Sequence, residues 1–160
     1  VYTETAQKRG IVLVNRLEGK LPRLWADKNH LIQMLTNLVD NAIKFADDDG
    51  TITVTVQQGK AVVTVGIRNT GEGIPEDALN HVFDRFYKED SSRGVNARGA
   101  GLGLHISKVL LGLMNGRIWA ESEAGQWAAF LFTLPAAPQK RPNRRGDSPT
   151  GKIGGTHELG

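Results

Sequence analysis

Asn37-Leu-Val-Asp-Asn41-Ala-Ile-Lys44 sits inside a run that decides how this chain folds. Leu31, Ile32, Leu35, Leu38, Val39, Ala42 and Ile43 recur around it at helical spacing. Residues 28–46 are therefore expected to form an amphipathic helix. Asp27 is a suitable N-cap, and Asp47-Asp-Asp-Gly50 breaks the run. Asparagine is a poor interior helix residue because its side chain competes for backbone hydrogen bonds. Asn37 and Asn41, four apart, nonetheless share one face of this helix, and Lys44 joins them three residues on. Mg²⁺ takes oxygen ligands, retains waters and shares few protein groups with substrate phosphates. An amide carbonyl suits that task, and an ammonium group beside it would balance phosphate charge. Taken alone, the two amides would more simply cap neighbouring loops or face water.

Outward from this helix, the pattern changes to strands. Ile11–Leu17 and Leu21–Trp25 read as short strands separated by a turn at Gly19, and residues 51–68 read as a β-hairpin turning at Gln57-Gln-Gly-Lys60. Asn69-Thr-Gly-Glu-Gly73 ends that hairpin in a tight loop, where glycines let the backbone approach a flat ligand. Pro75 starts an expected short helix through about Val82. Phe83-Asp-Arg-Phe86-Tyr-Lys88 follows, with two phenylalanines able to dock a loop base and two cations suited to anionic oxygens. Residues 88–100 carry no periodicity and read as a mobile loop. Gly99-Ala-Gly101-Leu-Gly103-Leu opens a helix expected over residues 102–114, where unsatisfied N–H groups attract phosphate. A closing hairpin is expected over residues 117–121 and 127–134.

Neither common nucleotide fingerprint matches. Leu104 occupies the place of the third Rossmann glycine, and the P-loop Gly-Lys-Ser/Thr ending is absent. The element order instead implies an α+β two-layer α/β sandwich, with a mixed, mostly antiparallel sheet and helices packed on one face.

Bulk properties narrow the partners. A chain of 160 residues without cysteine forms no disulfide or thiolate metal site. No apolar run is long enough to span a membrane. Of 20 Lys and Arg and 17 Asp and Glu, five basic and two acidic residues lie from Lys140 on, which leaves 15 of each before it. A neutral body with a basic tail is not a nucleic-acid footprint.

In combination, the four stretches resemble the N, G1, F and G2 boxes of the sensor histidine kinases, whose catalytic ATP-binding domain has the Bergerat fold. The resemblance runs from about Gly10 to Pro135 and includes Asn115-Gly-Arg-Ile-Trp-Ala-Glu-Ser122. It implies a domain over residues 10–135. Residues 1–9 would be the end of an upstream linker or helix, and residues 136–160 a disordered basic tail or non-native remnant.

It further implies that Mg²⁺ is coordinated by Asn41 with Asn37 beside it, and that Lys44 approaches the phosphates. Asn69 would contact the adenine edge, with Gly71, Gly73 and Ile74 as its wall. Phe83 and Phe86 would anchor a lid, and Arg85 or Lys88 would reach the γ-phosphate. Gly99, Gly101, Leu102, Gly103 and Leu104 would cradle the phosphates. The implied cofactors are ATP and Mg²⁺. The implied activity is ATP-dependent phosphorylation of a histidine on a separate dimerisation domain outside this chain. A response regulator would be reached through the intact kinase, and no nucleic acid or membrane would be touched directly. The location would be cytoplasmic, in a parent that the family allows to be an inner-membrane sensor.

Asn69 departs from the family, which has an aspartate there. Exchanging a charged for a neutral hydrogen bond loses roughly 1–2 kcal/mol, or about tenfold in affinity. An asparagine can also donate to O6 of guanine while its oxygen accepts from N1–H. The alternative reading is a degenerate, pseudokinase-like scaffold with weakened ATP binding. His30, His81, His105 and His157 lack the context of the family's phosphorylated histidine.

Overall fold

The computed structural model describes residues 2–17, 19–20, 22–85 and 103–137. Eight elements follow one another: α1 (Tyr2–Lys8), β1 (Val12–Leu17), α2 (Lys28–Phe45), β2 (Thr51–Gln58), β3 (Val62–Thr70), α3 (Gly103–Leu113), β4 (Arg117–Glu123) and β5 (Trp127–Pro135). The five strands form one sheet in the order β1-β2-β3-β5-β4. β1 and β2 run parallel, Val12 opposite Thr51, because α2 connects them. The other pairs are antiparallel, with Ile67 opposite Val54 and Phe130.

Strand alternation divides this sheet into two faces. Ile52, Val63, Val65, Ile67, Phe130, Phe132 and Leu134 point one way and are buried. Met34, Leu38 and Ala42, spaced by one turn along α2, pack on them together with Leu110, Leu111 and Met114. The helices thus lie on one face, as the α+β reading expects. Ala6 places α1 in the same cluster. On the other face lies a groove of about 430 Å³, lined in part by Thr53, Arg68, Trp127 and Leu131.

α2 begins where the sequence places it. Asp27 accepts the His30 N–H at 2.9 Å. That bond, reinforced by the His30 charge, holds the Asp27 carboxyl below its ordinary value of 3.8. A carboxyl depressed by folding contributes stability above the unfolded value and loses it as pH falls through the lower folded one. Asp27→Asn keeps the acceptor but removes the titration. Melting temperature against pH is therefore expected to show an acid-side step below 3.8 in the parent that is smaller in this variant.

Two expected elements are corrected. Of the expected strand Leu21–Trp25, the described residues 22–25 do not form one. They contribute one bridge, Leu24 to Ala136, flanked by Trp25 N–H to the Pro135 carbonyl and Ala137 N–H to the Arg23 carbonyl. Pro22 and Pro135 have no N–H to extend that ladder. The stretch from Pro75 to Val82 is a series of turns, not a helix. Ala78 N–H reaches the Pro75 carbonyl and Val82 N–H the Ala78 carbonyl. Only Ala78, Val82 and the half-buried Leu79 anchor it, too little to nucleate a helix of this length. α3 ends with Asn115 in the left-handed region, φ 56°. Gly116 N–H then bonds back to the Leu111 carbonyl at 2.7 Å, so the left-handed cap falls on the asparagine rather than the glycine.

Candidate nucleotide site

The carboxamide face of α2 meets the start of α3. Asn37 Nδ2 donates to the Gly103 carbonyl at 3.4 Å, and Ser107 Oγ donates to the same oxygen at 2.9 Å. A Cβ added at Gly103 would lie 3.9 Å from Asn37 Cβ, an ordinary contact, so the two helices already stand within side-chain reach here. Asn37, Asn41 and Leu104 are half-buried, and Lys44 is exposed. The N–H groups of the first turn of α3 have no acceptor within the helix.

The other end of α2 meets the end of β3. Asn69 is 1% exposed. Its Nδ2 donates to the Thr70 carbonyl at 3.1 Å. A carbonyl accepts and never donates, so the amide atom facing Thr70 is the nitrogen, and Oδ1 is turned away from it. Gly71 has φ 156°, and a Cβ there would come within 2.3 Å of the Phe45 carbonyl. Gly73 has φ 74°, and a Cβ there would come within 2.7 Å of the Glu123 carbonyl. Ile74 N–H donates to Ser122 Oγ at 2.7 Å, and that hydroxyl donates to the Trp127 carbonyl at 2.8 Å. The Asn69–Ile74 wall is thereby tied to α2 on one side and to the β4–β5 hairpin on the other.

Phe83 is buried and stands edge-on to Phe130, ring centroids 6.1 Å apart. His105 Nδ1 lies 3.2 Å from the Phe83 carbonyl, which joins Phe83 to the first turn of α3. Arg85 is exposed. Phe86, Lys88, Gly99, Gly101 and Leu102 lie outside the described residues.

Sequence reasoning missed two contributors. Phe45 is 50% exposed at the base of α2, with Lys44 Nζ 5.1 Å from its ring. Its signal was an aromatic residue off the buried stripe of Met34, Leu38 and Ala42. Ser122 left no distinct signal, because its role as acceptor for Ile74 arises only when the two segments meet.

The donor set is informative about metal. Among the described residues no group of three or more His, Cys, Asp or Glu could hold an ion. What the site offers is carboxamide oxygen, a weak neutral ligand. That suits Mg²⁺ delivered on phosphates and does not suit a metal held by protein alone.

Comparison with known proteins agrees with this geometry. Residues 26–138 match the family model "Histidine kinase-, DNA gyrase B-, and HSP90-like ATPase". The adaptive-response sensory kinase SasA of Synechococcus elongatus is 40% identical over 124 residues, 77% of this chain and 32% of the relative. The sensor protein SrrB of Staphylococcus aureus is 38% identical over 114 residues, 71% of this chain and 20% of the relative. The chain thus spans a third or less of the length of these relatives. Among solved structures, the catalytic domain of histidine kinase ThkA superposes with a TM-score of 0.74 at 29% identity, covering 86% of this chain and 88% of its own. Full-length ShkA in complex with AMPPNP superposes with a TM-score of 0.73 at 32% identity, covering 88% of this chain and 29% of its own.

Proposed function

The chain belongs to the histidine kinase-, DNA gyrase B-, and HSP90-like ATPase family, and on that premise we propose that its site binds Mg·ATP for transfer of the γ-phosphoryl group to a histidine on a separate domain. One observation carries the reading. The face of α2 between Asn37 and Phe45 runs from the Gly103 carbonyl to the Gly71 wall. Eight residues of helix span about 12 Å, close to the reach of a nucleotide from base to terminal phosphate. Phosphate would lie at the α3 end, against unsatisfied N–H groups, and the base at the Asn69 end.

In this arrangement Asn41 offers its carboxamide oxygen toward Mg²⁺ and Lys44 its charge toward the phosphates. Bound Mg²⁺ would neutralise charge on the transferring phosphoryl group. Asn69 Oδ1 accepts from the exocyclic amine of adenine, Gly71 and Gly73 admit the ring, and Phe45 covers it. Phe83 docks the segment leading to Phe86, Arg85 and Lys88, and Gly99, Gly101, Leu102, Gly103 and Leu104 cradle phosphate. The chain then positions and neutralises, and the acceptor histidine supplies the nucleophile. His81 is engaged by Asp84 and His105 by the Phe83 carbonyl, which supports an acceptor elsewhere. In the whole protein that acceptor would lie on a dimerisation domain. ThkA has been solved with the response regulator TrrA, and a response regulator is the proposed downstream partner here. The proposed location is cytoplasmic, on the strength of the family resemblance; among the described residues no helix is long and apolar enough to cross a membrane.

The orientation of Asn69 supports retained adenine reading over a degenerate scaffold or relaxed base choice. Thr70 takes one N–H of the Asn69 amide and so fixes Oδ1 on the opposite edge as the acceptor for an exocyclic amine, while guanine would have to compete for the single N–H that remains. Calorimetric titration tests this. Mg·ATP is expected to bind, GTP to bind at least about tenfold more weakly, and Mg²⁺ alone to give no heat. Absence of ATP binding at millimolar concentration overturns the proposal.

A further inference from the structure

Arg9 stands between α1 and β1, outside every motif of the nucleotide site, yet its side chain reaches the far end of α2. One guanidinium nitrogen donates to the Ile43 carbonyl, a second to the Ala46 carbonyl at 2.5 Å, and Nε pairs with Asp48 at 2.6 Å. The last four carbonyls of a helix have no partner within it, and they carry the negative end of its dipole. A planar cation spanning two of them satisfies both the bonds and the charge.

The main chain reinforces this link. Asp49 N–H donates to the Arg9 carbonyl at 2.8 Å, and Val12 N–H to the Gly50 carbonyl at 2.9 Å. A Cβ at Gly10, φ 65°, would fall 2.1 Å from Asp49 Oδ1. The same turn reaches the base end of the site. Asp47 N–H donates to the Thr70 carbonyl at 3.1 Å, the carbonyl that also holds Asn69. The Phe45 carbonyl sits against Gly71. A single turn of chain, residues 43–50, therefore touches Arg9 on one side and the Asn69–Gly71 wall on the other.

We propose that Arg9 is a positioning residue for the nucleotide site: it clamps the last turn of α2, setting Phe45 and Asp47 against Gly71 and Thr70, so that the segment preceding β1 controls nucleotide affinity. The inference rests on the Mg·ATP reading of that site. Displacement of α1 would draw Arg9 off the two carbonyls and loosen the base end of the site, with no change at Asn37 or Gly103.

The test uses the full 160-residue chain, Mg·ATP as probe, and four variants. Arg9→Met keeps the aliphatic stem and removes the donors. It is expected to weaken binding about tenfold at temperatures where circular dichroism shows it folded. Arg9→Lys, whose single ammonium cannot span both carbonyls, is expected between Arg9→Met and the parent. Asp48→Asn removes only the exposed ion pair, of little worth, and is expected to bind as the parent does. Leu134→Ala opens a core cavity, and is expected to lower the melting temperature while leaving affinity unchanged. Loss of stability alone therefore does not reproduce the Arg9 effect. In Arg9→Met, amide exchange is expected to quicken at Ala46 and Asp47 and to stay unchanged at Leu31, at the other end of the same helix.

Parent-like affinity in folded Arg9→Met overturns the proposal. Where that variant does not fold, parent-like affinity in Arg9→Lys does so. A parent chain that binds no ATP overturns the nucleotide reading itself, and this inference with it.

Discussion

Asn41→Ala is expected to lower Mg²⁺-dependent ATP affinity and phosphoryl transfer by about a hundredfold or more, with little change in stability. Asn41 is half-buried on the side of α2 that meets Gly103. It is the residue proposed to give the ion its protein oxygen. Alanine there favours the helix and leaves Met34, Leu38 and Ala42 in place against the sheet, so the fold loses nothing it depends on. The loss should also be selective. ADP measured without Mg²⁺ reports base and ribose contacts at the Asn69 end, and it is expected to bind variant and parent alike. The measurement is a pair of titrations, with Mg²⁺ and with chelator. An unchanged Mg²⁺ dependence would place the ion elsewhere and detach the carboxamide face from the phosphates.

The second large effect is expected at Gly71. An added Cβ would approach the Phe45 carbonyl to 2.3 Å and Asn69 Nδ2 to 3.3 Å, at φ 156°. The obstructing atom is main chain at the end of a packed helix, so it cannot swing aside. Overpacking and backbone strain together cost about 3 kcal/mol, and Gly71→Ala should melt on the order of 10 °C lower. The part that relaxes is the contact between α2 and the strand end, so ATP affinity should fall as well. Gly125 provides the comparison. Its φ is 79°, but nothing lies within 4 Å of an added Cβ. Gly125→Ala should cost only about 1 kcal/mol of backbone strain and leave affinity intact. Calorimetric melting and ATP titration of the two variants distinguish a clash at the site from the general cost of a left-handed residue. Equal losses in both would remove Gly71 from the wall of the site.

Where sequence reading succeeded, periodicity and local chemistry acted together. α2 was legible because its apolar stripe, its Asp27 cap and its Asp47-Asp-Asp-Gly50 break agree. The β2–β3 and β4–β5 hairpins were legible because each joins neighbouring strands across a short turn. The stretches at residues 21–25 and 75–82 failed for the opposite reason. Each has a plausible local pattern but too few partners to complete a ladder or a helix, and in the first of them Pro22 also removes a ladder donor. The parallel pairing of β1 with β2 left no local mark, since its partners are separated by the whole of α2.

At the site, residue types announced the chemistry and contacts decided its meaning. Asn69 illustrates the difference. As a letter it allowed weakened ATP binding or acceptance of guanine, because a carboxamide turns either edge outward. The Thr70 carbonyl, 3.1 Å away, takes one N–H and so fixes which edge carries the oxygen, the orientation on which the proposed adenine contact rests. Phe45 and Ser122 were invisible in the same sense. A serine in a strand is common, and only its neighbour Ile74 gives Ser122 a role; Phe45 meets Gly71 through its main-chain carbonyl, which no side-chain letter announces.

The one-dimensional pattern alone determined that this chain makes a helix bearing two amides on one face, a glycine-marked turn after β3, and a sheet buried on one side. Those features follow from spacing, capping and alternation, which act over a few residues. Only the tertiary structure decided that the helix lies with one end at Gly103 and the other at Gly71, and that Arg9 closes its last turn. Those contacts join residues 66, 26 and 37 positions apart or thereabouts, and nothing local encodes them. They exist because burying Met34, Leu38 and Ala42 against the sheet leaves α2 a single way to lie.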